Sequence, residues 1–320
     1  MILALGSRGD EVRQVKQRLS DLGMYTGLID GEFGGGLQSA VQIFQKADGL
    51  PIDGIVGPRT WAALFPGSTL PGAPDITAQP IEQRCLALTA AFETSAGIPD
   101  CYCALTGDFD GQGLSLGALQ WNIGQGTLQP LLSEMMAAHS DVISGIFHSH
   151  LDTFKNMLSS PRDQQLAWAR SIQDPRCAVV DPWRSLLQAL ARTPEFQAIQ
   201  VEHAGRIHQK ARAMCRSFGL GSERALALFF DILVQNGSIS AETTAKIQAD
   251  FAQIPGGDPL DVEVRKLQSI ANRRAEAAPP SFAEDVRSRK LTIANGRGMV
   301  HNIPYDLERQ FGIRLEPFLA

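Results

Sequence analysis

The sequence predicts a mainly α protein in two parts, a small three-helix domain followed by a larger helical domain with a small β-ribbon. Three observations predict it. Apolar residues recur at helical spacing along most of the 320 residues. A stretch rich in proline and glycine, 66–80, breaks that periodicity and reads as a semi-extended linker. Strand-like alternation is confined to 109–121, through Leu114, Leu116, Ala118 or Leu119, and Trp121. The expected domains are therefore 1–65 and 81–320, joined by the linker.

In the first domain Val12, Val15, Leu19 and Leu22 keep helical spacing, and Gly23 supplies a stop. Leu37, Ala40, Val41 and Phe44 form a second pattern that ends near Gly49. A third begins at Pro58, a favoured first-turn residue, and carries Thr60, Trp61 and Leu64. Two Asp-Gly turns, Asp30-Gly31 and Asp53-Gly54, each precede a further glycine and a helix.

In the second domain Ile81, Cys85, Leu88 and Phe92 define a helix that carries Glu93 at its end. Further amphipathic patterns cover 128–138, 141–158, 162–172, 182–192, 195–218, 223–236, 240–253 and 259–277, punctuated by prolines. Asn295-Gly296-Arg297-Gly298 reads as a turn, since it lacks the lysine and serine of a phosphate-binding loop.

Composition excludes several classes. Hydrophobic residues make up 44%, an ordinary globular value, and the net charge is −5. Without an excess of Lys and Arg, no nucleic-acid partner is expected. No apolar run approaches the roughly 20 residues of a membrane helix. The start, MILALGSRGDEV, lacks the basic and extended apolar regions of a secretory signal, so synthesis in the cytoplasm is expected. The five cysteines are odd in number and irregularly spaced, and read as buried thiols.

The first domain resembles the peptidoglycan-binding domain carried by many cell-wall hydrolases. The resemblance rests on Gly9-Asp10-Glu11-Val12, Leu19, Leu22-Gly23, Asp30-Gly31, Phe33-Gly34, Ala40-Val41, Phe44-Gln45, Asp53-Gly54, Val56-Gly57 and Thr60-Trp61. Leu37 departs from the hydroxyl residue usual after the first glycine turn. The resemblance implies bacterial peptidoglycan as the partner.

Glu93 is the first candidate for chemistry. A carboxyl packed among apolar side chains at a helix end loses hydration, which suits it to act as a general acid. Asp110 lies 17 residues on, in a glycine-rich turn (Gly107, Gly111, Gly113), where solvation keeps a carboxylate ionised as a base. Glycosidic cleavage uses that division of labour. A glutamate followed by a surface acidic turn is the plain alternative.

Phe92-Glu93-x-Ser95, Asp110-Gly111-x-Gly113, Ser115, Gly117 and Gly124-x-Gly126-x-Leu128 resemble the chitosanases of glycoside hydrolase family 46. That resemblance implies a two-lobed, lysozyme-like α fold. It implies Glu93 as general acid and Asp110 as general base, with Asp108 a neighbour that could substitute. Ser115 falls where the family has a hydroxyl that helps hold the attacking water. Asp231-Ile232-Leu233-Val234-Gln235-Asn236-Gly237 is similar to a cleft-lining helix end, which adds Gln235 and Asn236 as substrate contacts. Gln112 departs from the arginine usual inside the turn, and Gln120-Trp121-Asn122 from the usual apolar string.

Chitosan is a polycation and favours an acidic cleft. The residues around this turn (Gln112, Gln120, Asn122, Gln125, Thr127) are neutral, and suit N-acetyl groups and hydroxyls. Trp121 is a core residue or a platform for a sugar ring. With the first domain, the expectation is a muramidase of the modular phage-endolysin kind, acting on the cell wall as a monomer. Chitosan cleavage and a non-catalytic wall-binding role are the alternatives. Export through a holin or a secretion system follows by analogy alone.

No cofactor or metal is expected. Cys101-x-Cys103 with His139, His148 and His150 lacks zinc-site spacing, and no HExxH occurs. His203, Arg206, Lys210 and Arg212 read as a basic helical face that is solvated or ion-paired, with anionic wall polymers as a functional alternative.

Overall fold

The computed structural model describes residues 3–68 and 75–318. It is mainly helical, as expected, with one three-stranded and one two-stranded sheet among the described residues. Contacts group the chain into two units, Met1–Pro74 with Ala96–Gln200, and Asp75–Ser95 with Val201–Ala320. Of the expected linker, 69–74 lies outside the described residues.

In the first unit, helices Asp10–Asp21, Gly35–Ala47 and Pro58–Leu64 pack around Val12, Val15, Leu19, Phe33, Leu37, Val41, Val56, Trp61 and Leu64. Leu37, the departure from the family pattern, is thus a core residue. The two Asp-Gly turns are built alike. Asp30 Oδ1 accepts from Glu32 N and Asp53 Oδ1 from Ile55 N, both at 2.9 Å. Each aspartate is also met by a buried polar side chain, Lys16 on Asp30 and Gln45 on Asp53 at 2.7 Å. A polar group left alone in this core would cost about 1–3 kcal/mol, so the pairs fix the turns to the helices.

The rest of that unit begins with short strands Leu105–Thr106, Ser115–Leu116 and Trp121–Asn122, paired antiparallel in chain order. Their register sets Thr106, Ser115 and Asn122 in one row, and Leu105, Leu116 and Trp121 in the other. Since side chains alternate across a strand, one face of the sheet is polar and the other apolar. Helices Leu128–Ala138, Ser140–Phe147, Leu151–Ser159, Arg162–Ser171 and Trp183–Arg192 follow.

The expected helix 141–158 is instead two helices, broken at His148–His150, where His148 has φ 42°. Packing explains the break. Phe147 and Phe154 stack with centroids 4.2 Å apart. In one continuous helix seven residues would separate them by about 10 Å along the axis.

Helix Pro194–Phe218 comes next in the chain. In the second unit, helix Ile81–Thr94 is buried from Cys85 through Phe92 on every side, as a central helix must be. Helices Glu223–Asn236, Ala241–Gln253, Pro259–Glu276 and Ala283–Asn295 are followed by a hairpin, Arg297–Val300 and Ile303–Asp306, and a short helix, Leu307–Phe311. Helix Ala283–Asn295 and the elements after it were not expected. Gly296 caps that helix in the left-handed region, and Arg297-Gly298 belongs to a strand rather than to a turn.

Candidate active site

Glu93 is the penultimate residue of helix Ile81–Thr94, which Ser95 ends with a left-handed cap. Its side chain is 20% exposed. The surroundings are not apolar alone, as the sequence suggested, because Arg289 Nη2 donates to Glu93 Oε1 at 2.7 Å. Arg289 also lies over the Phe92 ring, 5.2 Å from its centroid, and Tyr305 packs edge-on against that ring.

Behind Arg289 sits Asp231, fully buried. It accepts from Arg289 Nε and Nη2, from the Lys290 ammonium, and from Thr89 Oγ1 at 3.2 Å. Burial opposes the charge on Asp231, but the two cations outweigh it and hold the carboxyl below the usual carboxylate range. Burial likewise opposes the charge on Arg289, and the carboxylates of Asp231 and Glu93 more than offset it. For Lys290 burial wins, and its pKa is pushed down to about 8 despite Asp231. Two carboxylates thus face two cations, and every ionic group has a partner, as buried charge requires.

The chain of hydrogen bonds continues outward. Lys290 donates to Gln235 Oε1 at 2.7 Å, and Gln235 Nε2 to Asp285 Oδ2 at 2.8 Å. Asp285 Oδ1 meets His301 Nε2 at 2.7 Å. Gln235, expected as a substrate contact, is engaged at both ends of its amide. Asn236 next to it has a buried Oδ1 with no hydrogen-bond partner among the described residues.

In the turn 107–113 the two aspartates differ. Asp108 is tied at both oxygens, Oδ1 to Gly113 N at 2.8 Å and Oδ2 to Arg170 Nε at 2.6 Å. Partial burial opposes its charge, yet Arg170 and the Gly113 amide hold its carboxyl below the usual range. Asp110 is exposed and accepts from Gln112 N at 3.1 Å. Phe109, between them, is 75% exposed.

Ser115 is half-buried at the centre of the polar row of the sheet. Gln120 donates to Gly117 O at 3.0 Å and accepts from Thr106 Oγ1 at 2.6 Å, so it braces the sheet. Asn122 and Thr127 close one loop, with Asn122 N donating to Thr127 Oγ1 at 2.8 Å. Asn122 Oδ1 accepts from Gln125 N at 2.8 Å. The Gln125 side chain is exposed, and Trp121 is buried, so its ring is core. Trp183 is also buried, with half-buried Trp168 edge-on at 4.9 Å.

Cys85, Cys101, Cys103 and Cys215 are buried free thiols and Cys177 is half-buried. Burial raises the thiols of Cys101 and Cys215 to about 12, so neither is a ready nucleophile. Of the basic helical face, Arg206 pairs with Glu202 and Arg212 with Glu82. Among the described residues no three His, Cys, Asp or Glu side chains converge as metal ligands, and no helix is long and apolar enough to cross a membrane.

Comparison with known proteins bears on the first unit. Residues 8–64 match the family model described as "Putative peptidoglycan binding domain". The N-terminal module is similar to that family over nearly its whole length. N-acetylmuramoyl-L-alanine amidase CwlM of Mycobacterium tuberculosis is 47% identical over 57 residues, 18% of this chain and 14% of that protein. The spore cortex-lytic enzyme of Bacillus cereus is 41% identical over 59 residues, 18% of this chain and 23% of that one. Zinc D-Ala-D-Ala carboxypeptidase of Streptomyces albus G is 43% identical over 68 residues, 20% and 26% of the two chains. The chain thus spans no more than 26% of the length of any of these three relatives.

Among solved structures, a chitosanase complex is similar over 72% of this chain and 99% of its own, with 18% identity and a TM-score of 0.47. A Burkholderia AP3 phage endolysin is similar over 74% and 99%, with 17% identity and a TM-score of 0.20.

Proposed function

We propose that the protein is a peptidoglycan hydrolase, a muramidase of the modular endolysin kind, in which residues 1–65 hold the wall and 81–320 cut β-1,4 glycosidic bonds. The observation that carries the reading is Glu93. It is a partly exposed carboxyl at the end of a buried helix, gripped at one oxygen by a guanidinium that a buried carboxylate fixes in place. Arg289 occupies Oε1, so Oε2 is the oxygen that carries the proton to the leaving group. As the proton departs, the charge that develops on Glu93 meets a cation already in position, which lowers the barrier without reorganisation.

Asp110 serves as the base that activates water. It is the solvated carboxylate of the turn, whereas Asp108 is spent on Gly113 and Arg170. Ser115 and Gln125 are the polar residues we assign to glycan and water, since the Thr127 hydroxyl is engaged with Asn122 and the Asn236 Oδ1 is buried. Gln120, Asn122 and Gln235 act by bracing the loops and helix end. The resemblance of residues 8–64 to a peptidoglycan-binding domain supports a wall glycan as substrate, and its relatives are named as an N-acetylmuramoyl-L-alanine amidase and a spore cortex-lytic enzyme.

Incubation of the purified protein with peptidoglycan and, separately, with chitosan tests the reading. Mass spectrometry of the products should show new reducing MurNAc ends. Glucosamine oligomers would make it a chitosanase, and absence of product from both would make it a non-catalytic wall-binding protein.

A further inference from the structure

We propose that Arg170 and Gln173 are positioning residues for the base, clamping the turn 107–113 so that Asp110 stands in one fixed place. The proposal rests on the assignment of Asp110 above.

A seven-residue turn with three glycines has little conformational preference of its own, and each glycine adds freedom that must be lost on ordering. A general base must meet its water within hydrogen-bond reach, and a displacement of about 1 Å can cost about 100-fold in rate. Something outside the turn must therefore hold it. Asp110 does not do so, since its recorded bond stays inside the turn, to Gln112 N.

The clamp comes from helix Arg162–Ser171 and the residues after it. Arg170 grips the turn twice, through Nε to Asp108 Oδ2 at 2.6 Å and through Nη2 to Gly111 O at 3.1 Å. These contacts straddle Asp110 on both sides in sequence. Gln173 makes a second pair, accepting from Asp108 N at 2.8 Å and donating to Gly113 O at 3.4 Å. Its amide is itself anchored on Ala169 O at 2.8 Å. Asp108 Oδ1 then closes the turn on Gly113 N.

Packing admits no slack at the base of the turn. A Cβ on Gly107 would lie 1.6 Å from Cys177 O, and one on Gly113 would lie 2.9 Å from Leu166 Cδ2 at a φ of +89°. Both ends of the turn therefore press on 166–177, while Gly111, in the middle, has open space. Asp110 is left free to meet solvent and substrate on a support held on both sides. A planar guanidinium suits this task because its two donors reach two acceptors at fixed spacing, which an ammonium cannot copy.

The test is steady-state kinetics on soluble wall glycan with Arg170→Ala, Arg170→Lys and Asp110→Asn, each checked for an unchanged melting midpoint. Arg170→Ala should lower kcat by at least about 10-fold with KM within about 2-fold, as loss of alignment rather than of binding predicts. Arg170→Lys should recover little, and added guanidinium ion should restore part of the kcat of Arg170→Ala but none of Asp110→Asn. An inactive Asp110→Asn beside an Arg170→Ala with wild-type kcat would overturn the clamp alone. An Asp110→Asn with wild-type kcat would overturn the base assignment and the clamp with it.

Discussion

Arg289 Nη2 lies 2.7 Å from Glu93 Oε1, and the same nitrogen lies 2.7 Å from Asp231 Oδ1. One guanidinium therefore links the candidate acid to a carboxylate that has no contact with solvent. Asp231→Ala would leave Arg289 and Lys290 as buried cations facing a single carboxylate. Breaking a buried pair in this way costs about 3–5 kcal/mol, and urea unfolding should register a loss of that order. An unchanged unfolding midpoint would show that the network bears no stability.

The same residue predicts an acid limb. Its folded-state pKa lies below the ordinary 3.8, so the unfolded chain binds the proton more readily. The stability it contributes is complete above about pH 4 and is lost as pH falls through the folded value. Melting midpoints measured between pH 6 and pH 2 should therefore fall more steeply for the wild type than for Asp231→Asn. Parallel curves would remove Asp231 from this role.

Phe109 was not singled out from sequence, and its exposure beside Asp110 suits it to stack on the apolar face of a sugar ring. Phe109→Ala should raise KM by about 5–10-fold, the equivalent of roughly 1 kcal/mol of apolar contact, with kcat and melting midpoint little changed. Equal KM values would place the glycan elsewhere.

If Glu93 and Asp110 act as acid and base on opposite sides of the bond, the product forms with inversion. Carboxyl groups about 6.5–9.5 Å apart go with that outcome, and about 5–5.5 Å with retention. Proton NMR in the first minutes of reaction should show α-anomeric new reducing ends. An initial β-anomer would mean retention and a different role for Asp110.

The helical class, the three module helices and most of the later helices were legible because apolar periodicity marks a helix that packs on one face. Helix Ala283–Asn295 was hidden by the same rule. It buries Arg289, Lys290 and Thr292, residues that a sequence reading assigns to solvent. Glu93 and the acidic turn were visible as residue types at a spacing, but the partners that define them were not. Arg289 is 196 residues from Glu93, and Arg170 is 62 from Asp108. The departure at Gln112 acquires a physical counterpart, since Arg170 brings a guanidinium to the turn from outside it. The break at His148 was invisible because it is set by the stacking of Phe147 on Phe154.

The central claim is that Glu93 donates the proton that cleaves wall glycan, and Glu93→Gln tests it most directly. The amide keeps the shape and an acceptor for Arg289 but carries no transferable acid proton. Purified wild type and variant should be compared on the same peptidoglycan for release of reducing ends and for sedimentation with the wall. The variant should lose at least about 100-fold in release, the usual scale of general acid catalysis, while binding as much wall as the wild type. Release at the wild-type rate by Glu93→Gln would contradict that claim.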